Sequence, residues 1–161
     1  FLKKEFQERG AIKKYIALVA GDISKESGVI NLPIARKRKM PTKQVAVKNA
    51  RQARGTIREA VTEYRVLRHN ISIEGKRFTL VEVLPKTGRL HQIRAHFSAI
   101  GHPIAGDLKY GSRDRVSLKA LNRHFLHAES LEIDIPQGAG NSKKMRFLAP
   151  LTEELKNLIS T

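Results

Sequence analysis

The sequence predicts an α+β domain in which a mixed, mainly antiparallel sheet is flanked by helices. Three observations predict it. Short apolar runs end at glycine or proline, as strands do. Residues 61–67 and 78–84 are spaced as an antiparallel pair around a turn near Gly75. Apolar residues recur at helical spacing after Gly88 and again at 151–159.

In chain order, residues 1–9 (FLKKEFQER) read as the end of an amphipathic helix, because Leu2 and Phe6 fall four apart on one face and Gly10 stops it. Residues 15–20 (YIALVA) make a buried strand ending at Gly21, and 28–34 a second apolar piece closed by Pro33. Residues 36–58 carry nine basic side chains and no acidic one. With no aromatic interleaved, that stretch reads as a loop or weak hairpin, either lying over phosphates or solvated as a plain charge run. The basic run 36–39 also has the composition of a nuclear localisation signal, a pattern common in RNA-binding proteins.

The pair 61–67 and 78–84 is expected to join through a loop longer than a tight hairpin. Thr87 is placed as the N-cap of a helix whose apolar face is Leu90, Ile93, Phe97 and Ile100, ended by Gly101 and Pro103. A loop at 102–114 leads to a strand-pair candidate at 125–135, a last strand at 144–148 and a terminal helix at 151–159. There is no internal repeat, and the 161 residues form a single domain.

Composition narrows the function. Lys and Arg number 31 against 15 Asp and Glu, a formal net charge of +16. Such an excess repels itself unless a polyanion neutralises it, which favours nucleic acid over an anionic membrane or a generic basic surface. No apolar run approaches the roughly 20 residues of a membrane span. The absence of cysteine excludes disulfides, thiol nucleophiles and cysteine-held zinc, and agrees with a reducing cytoplasm. His91, His96, His102, His124 and His127 lack the spacing of a helical zinc pair. No nucleophile elbow, P-loop or dinucleotide fingerprint occurs. Arg94 sits at the margin of the apolar stripe, so it either pairs with a carboxylate or phosphate or snorkels to water.

The runs at 86–96 (KTGRLHQIRAH) and 100–111 (IGHPIAGDLKYG) closely resemble the RluA-type pseudouridine synthases. Three further stretches agree in order: 14–19 (KYIALV), 60–64 (AVTEY) and 126–131 (LHAESL). The resemblance spans nearly the whole chain. It implies an isomerase that detaches uracil from ribose in structured RNA, rotates it and rejoins it through carbon 5, using no metal and no organic cofactor. The target base is flipped out of its stack.

By the resemblance, Tyr15 is the pocket tyrosine that packs on the flipped base and assists proton removal. Arg94 pairs with the catalytic aspartate, and Leu126 supplies part of the apolar wall. Lys14, Arg89 and His91, basic residues within the matching motifs, are the expected RNA contacts. The family's nucleophile is an aspartate in an Arg-Leu-Asp segment upstream of the tyrosine motif. Here the aspartates are Asp22, Asp107, Asp114 and Asp134, and none precedes Tyr15. Asp107 reads as a structural turn. The expectation is therefore that the chain, which begins at Phe1, is the C-terminal part of a catalytic domain. On this reading the partner of Arg94 lies outside the chain, an apolar face or sheet edge is exposed, and the chain alone is inactive. Large-subunit ribosomal RNA is preferred to transfer RNA as substrate, with a monomeric cytoplasmic enzyme acting on it. The alternatives are a non-catalytic RNA-binding assembly protein on the same fold and a His-dependent metallohydrolase.

Overall fold

The computed structural model describes residues 11–138 and 141–160. The expected helix at 1–9 lies outside them. Two sheets carry the architecture. The larger has six strands in the order β2-β6-β7-β1-β8-β9, every neighbouring pair antiparallel. Its strands are β1 (Ile12–Ala20), β2 (Ser27–Asn31), β6 (Val61–Ile73), β7 (Lys76–Pro85), β8 (Leu126–Gly138) and β9 (Asn141–Leu148). The smaller sheet, β4-β3-β5, is built from β3 (Ile34–Lys37), β4 (Met40–Ala46) and β5 (Ala53–Arg58). Among the described residues three α-helices complete the fold: α1 (Gln92–Ala99), the single turn α2 (Arg113–Val116) and α3 (Glu153–Ile159), with a 3-10 turn at Ala50–Gln52. Among the described residues no helix is long and apolar enough to cross a membrane.

Strand β1 lies inside the large sheet and is buried on both faces from Ile16 to Ala20, so that half of its sequence is a continuous apolar run. Alternation divides its side chains between two cores. Ile16, Leu18 and Ala20 join Phe78, Leu80, Phe125, Leu155 and Leu158 beneath α3. Ala17 and Val19 join Val81, Val83, Ile93, Phe97 and Ile104 beneath α1. Complete burial of side chains such as Val81, Val83 and Phe97 contributes about 2 kcal/mol each. A third cluster of Ile34, Ala60, Ala95 and Tyr110 ties the small sheet to α1.

Several expectations are corrected here. Residues 36–58 are not a loop: they contain a hairpin, β3–β4, which β5 extends into a three-stranded sheet. Its inward residues Ala35, Ala46 and Ala53 are small, so burial leaves only a weak apolar signal in the sequence. The connection between β6 and β7 is a tight two-residue turn rather than a long loop. Glu74 and Gly75 take φ of 51° and 71°, the twist that two-residue hairpins require. From Leu126 onward the region 125–135 belongs to one strand, β8, paired on both sides rather than folded on itself.

Helix α1 starts at Gln92, with His91 at φ 54°, so Leu90 precedes the helix and is 66 % exposed instead of extending the buried stripe. Its C-terminus is as expected. Gly101 at φ 89° lets its own N–H reach Ser98 O and the His102 N–H reach Phe97 O. Strands β2 and β9 are the edges of the large sheet among the described residues, and Phe147 and Leu148 on β9 are exposed.

Candidate active site

The loop from β7 to α1 and the first turns of α1 are held by one buried amide. Gln92 Oε1 accepts from Thr87 Oγ1 (2.7 Å) and Arg89 N (3.0 Å), while Nε2 donates to Val61 O and Thr62 Oγ1, both at 3.0 Å. The chain of bonds continues inward. Thr62 Oγ1 lies 2.8 Å from His96 Nδ1, and His96 Nε2 lies 2.8 Å from Leu32 O. Because a carbonyl only accepts, Nε2 carries the proton and Nδ1 accepts from the threonine. Burial lowers the His96 pKa, outweighing the support of the Leu32 carbonyl, so the neutral ring is the one this network needs. Thr87 is thus not an N-cap. Its hydroxyl accepts Val61 N–H and donates to Gln92, and α1 has no side-chain cap.

Arg94 emerges from the first turn of this fixed helix. Its Nε and Nη2 each donate to Asp107, at 2.7 Å to Oδ2 and 2.7 Å to Oδ1. The Arg94 side chain is 14 % exposed and that of Asp107 is fully buried. This corrects the expectation that the arginine's partner lies outside the chain. Asp107 also accepts Lys109 N–H and Tyr110 N–H, so the turn reading of that residue describes half of its role. The carboxylate holds the Arg94 pKa up. Gly106 makes the arrangement possible: it takes φ +76°, and a Cβ there would lie 2.0 Å from Arg123 O.

The Arg94 guanidinium also lies 4.9 Å from the centre of the Tyr110 ring. The Tyr110 hydroxyl accepts Gln44 N–H at 2.9 Å and lies 3.1 Å from His91 Nδ1. His91 therefore faces inward to Tyr110 along one ring edge. Burial and the neighbouring Arg94 charge lower its pKa.

Arg94, Tyr15 and Leu126 line one cavity of about 390 Å³, with Lys13, Gly88 and His124 on its rim and walls. Arg89 and His91 line it as well. Three elements thus meet there: β1 supplies Tyr15, β8 supplies Leu126, and α1 supplies Arg94. Tyr15 is half-buried, and desolvation raises its pKa. The phenol is protonated at neutral pH. No aspartate or glutamate among the described residues lines this cavity.

Lys14 is placed elsewhere. Its Nζ lies 2.9 Å from Glu82 and 3.5 Å from Glu129, which raise its pKa, on the face of β1 opposite Tyr15. Lys13 takes the cavity position instead, and burial lowers its pKa. The signal was available, since residues two apart on a strand share a face. Arg89 keeps its Nε on Glu59 O at 3.1 Å. His102 Nδ1 bonds Ala20 O and His127 Nε2 bonds Ala149 O. Among the described residues no three His, Cys, Asp or Glu side chains gather as a metal set.

Residues 2–99 match the family model described as RNA pseudouridylate synthase. The chain is 35 % identical over 136 residues to the dual-specificity RNA pseudouridine synthase RluA of Vibrio vulnificus, covering 80 % of the chain and 52 % of that protein. It is 35 % identical over 163 residues to ribosomal large subunit pseudouridine synthase D of Nitrosomonas europaea, covering 98 % of the chain and 43 % of that protein. Among solved structures, human RNA pseudouridylate synthase domain containing 1 superposes with a TM-score of 0.75 at 29 % identity, over 95 % of this chain and 60 % of that one. The chain spans about half the length of the curated relatives it matches.

Proposed function

From the premise that this chain belongs to the RNA pseudouridylate synthase family, in its RluA-type branch, we propose that it forms the base-holding half of an enzyme converting uridine to pseudouridine in structured RNA. The observation that carries this reading is the meeting of Tyr15, Leu126 and Arg94 in one cavity. An aromatic ring and an apolar wall accept a flipped base. The guanidinium stands where a carboxylate acting on that base needs a charge partner.

Within this reading each residue has a distinct task. Tyr15 packs on the base. A protonated phenol serves as a hydrogen-bond donor better than as a base, so packing and orientation outrank proton removal. Asp107 takes two of the five N–H donors of Arg94, leaving donors for a second carboxylate while fixing the plane of the guanidinium. The nucleophilic aspartate comes from a segment outside the 161 residues. Asp107 is buried and fully engaged, Asp22 pairs with Arg77, and Asp114 and Asp134 line no part of the cavity. The chain alone is accordingly inactive. The complete enzyme acts without metal or cofactor, as a cytoplasmic monomer, with large-subunit ribosomal RNA as the preferred substrate. The basic sheet at residues 36–58 faces that RNA. The name of the Nitrosomonas relative supports the substrate choice.

Tritium release from RNA labelled at carbon 5 of uridine tests the proposal. It is measured with this chain and with a form extended by the upstream half of a relative. Release by the extended form alone is the expected result. Release by neither form, with RNA still bound, favours a non-catalytic RNA-binding protein, a reading that the carboxylate-free cavity also supports. Release by the short chain returns the nucleophile to one of its own four aspartates.

A further inference from the structure

Beside the Tyr15 cavity lies a second and larger one of about 480 Å³, between the small sheet and the loop preceding α1. Arg36 from β3, Arg54 and Arg58 from β5, and Arg89 from the loop all line it. Arg36 and Arg54 are directly opposite each other in the β3–β5 register. Like charges at opposed positions destabilise a sheet, so this pair is a cost the isolated fold does not offset. Among the described residues no carboxylate forms an ion pair with Arg36, Arg54 or Arg58. The nearby Gly55 stands at φ +74° with open space where a side chain would be. Lys37, Lys43 and Lys48 line a separate, smaller cavity of about 280 Å³ between β4 and α1, which shares no residue with the Tyr15 cavity.

The two cavities share two lining residues, Gly88 and Arg89. Gly88 has no side chain to wall them apart. A polyanion that leaves the Tyr15 cavity across Gly88 therefore enters a groove of four guanidiniums, whose planar forks match phosphate oxygens.

We propose that this groove is a phosphodiester-binding track: it takes the RNA backbone next to the flipped nucleotide, with Arg36 and Arg54 sharing a phosphate that relieves their mutual repulsion. The inference deepens the RNA-modifying role proposed above and rests on it. It adds a defined path for the strand and the residues that hold it.

The test is the salt dependence of RNA binding by this chain, read by anisotropy of a labelled RNA stem-loop in potassium chloride. Each lost phosphate contact flattens the plot of log affinity against log salt by about 0.7 for single-stranded RNA. The R36Q/R54Q double variant, which loses the one phosphate the two side chains share, should flatten it by about 0.7. Lys143→Gln with Lys144→Gln, on β9 outside both cavities, removes the same charge and should change it far less. Equal flattening by the two doubles overturns the track, as does an absence of RNA binding by the wild type.

A second readout separates binding from folding. Without RNA, Arg54→Gln should hold or raise Tm, because a repulsion is removed. A fall in Tm with an unchanged slope assigns Arg54 to the fold and overturns the proposal. Tritium release distinguishes the two readings. A flattened slope without turnover by the extended form leaves the track standing and sinks the synthase, whereas turnover with an unaltered slope does the reverse.

Discussion

Arg94 and Asp107 are joined by two parallel N–H···O bonds of 2.7 Å, thirteen residues apart in sequence, with the carboxylate fully buried. Asp107 is in turn fixed by the N–H groups of Lys109 and Tyr110. The pair aims a cation at the cavity without spending all of its donors. Removing one member of a buried pair leaves the other charge unsatisfied, at about 3–5 kcal/mol. Asp107→Asn should therefore lower Tm by about 6–20 °C for a chain of this size. Adding Arg94→Gln should recover part of that loss in thermal denaturation while leaving the extended enzyme inactive. Equal Tm values for Asp107→Asn and wild type would show that the pair does not hold the site.

Tyr15 separates packing from proton transfer. Burial raises its pKa above the ordinary 10.0, so the phenol stays neutral through pH 9. Tyr15→Phe keeps the ring and should leave the affinity of the extended enzyme for RNA unchanged, with turnover reduced modestly. Tyr15→Ala should abolish tritium release and spare RNA binding. Unimpaired release by the alanine variant would remove Tyr15 from the chemistry. An ionisation seen below pH 10 by ultraviolet difference absorbance, and lost in Tyr15→Phe, would contradict the neutral phenol.

What could be read from the sequence follows the strength of its local signals. Strand β1 and the body of α1 were legible because Leu18, Val19, Ile93 and Phe97 are large apolar residues at the right period. The start of α1 was not. Leu90 continues the helical spacing, yet the backbone turns at His91 with φ 54°, a conformation stabilised by tertiary contacts such as the one to Tyr110. The small sheet was hidden because, apart from Ile34, its buried positions are alanines among arginines and lysines. The Arg94 partner was hidden for another reason. Asp107 satisfies a local turn and a distant cation at once, and only the former has a sequence pattern.

The buried His96 makes stability depend on pH in a definite direction. Its folded pKa lies below the unfolded value of about 6.5, with burial the main cause. The unfolded chain therefore takes up the proton first as pH falls. Stability is complete above about pH 6.5 and declines as acidity increases below it. Burial shifts His91 and His124 the same way. Tm measured from pH 7.5 to 5 should fall, and His96→Gln should show a shallower fall from a lower starting value. A Tm that rises on acidification over this range would mean that the protonated ring is the one the fold stabilises.

Two glycines near the site should respond oppositely to added side chains. At Gly106 the backbone is left-handed (φ +76°) and a Cβ would meet Arg123 O at 2.0 Å. Gly106→Ala should therefore displace the turn holding Asp107 and cost more than about 1 kcal/mol, the backbone contribution alone. At Gly88 the only atom of the described residues near an added Cβ is Lys13 Nζ at 3.5 Å, an ordinary contact at the end of a flexible side chain. Gly88→Val should leave stability within about 1 kcal/mol of wild type. It also sets a branched side chain between the Tyr15 cavity and the arginine groove, where it should slow tritium release by the extended enzyme at least tenfold. Melting curves and turnover for both variants decide the matter. A stable Gly106→Ala protein would mean that the 106–107 turn gives way freely, and a fully active Gly88→Val enzyme would mean that RNA does not cross that threshold.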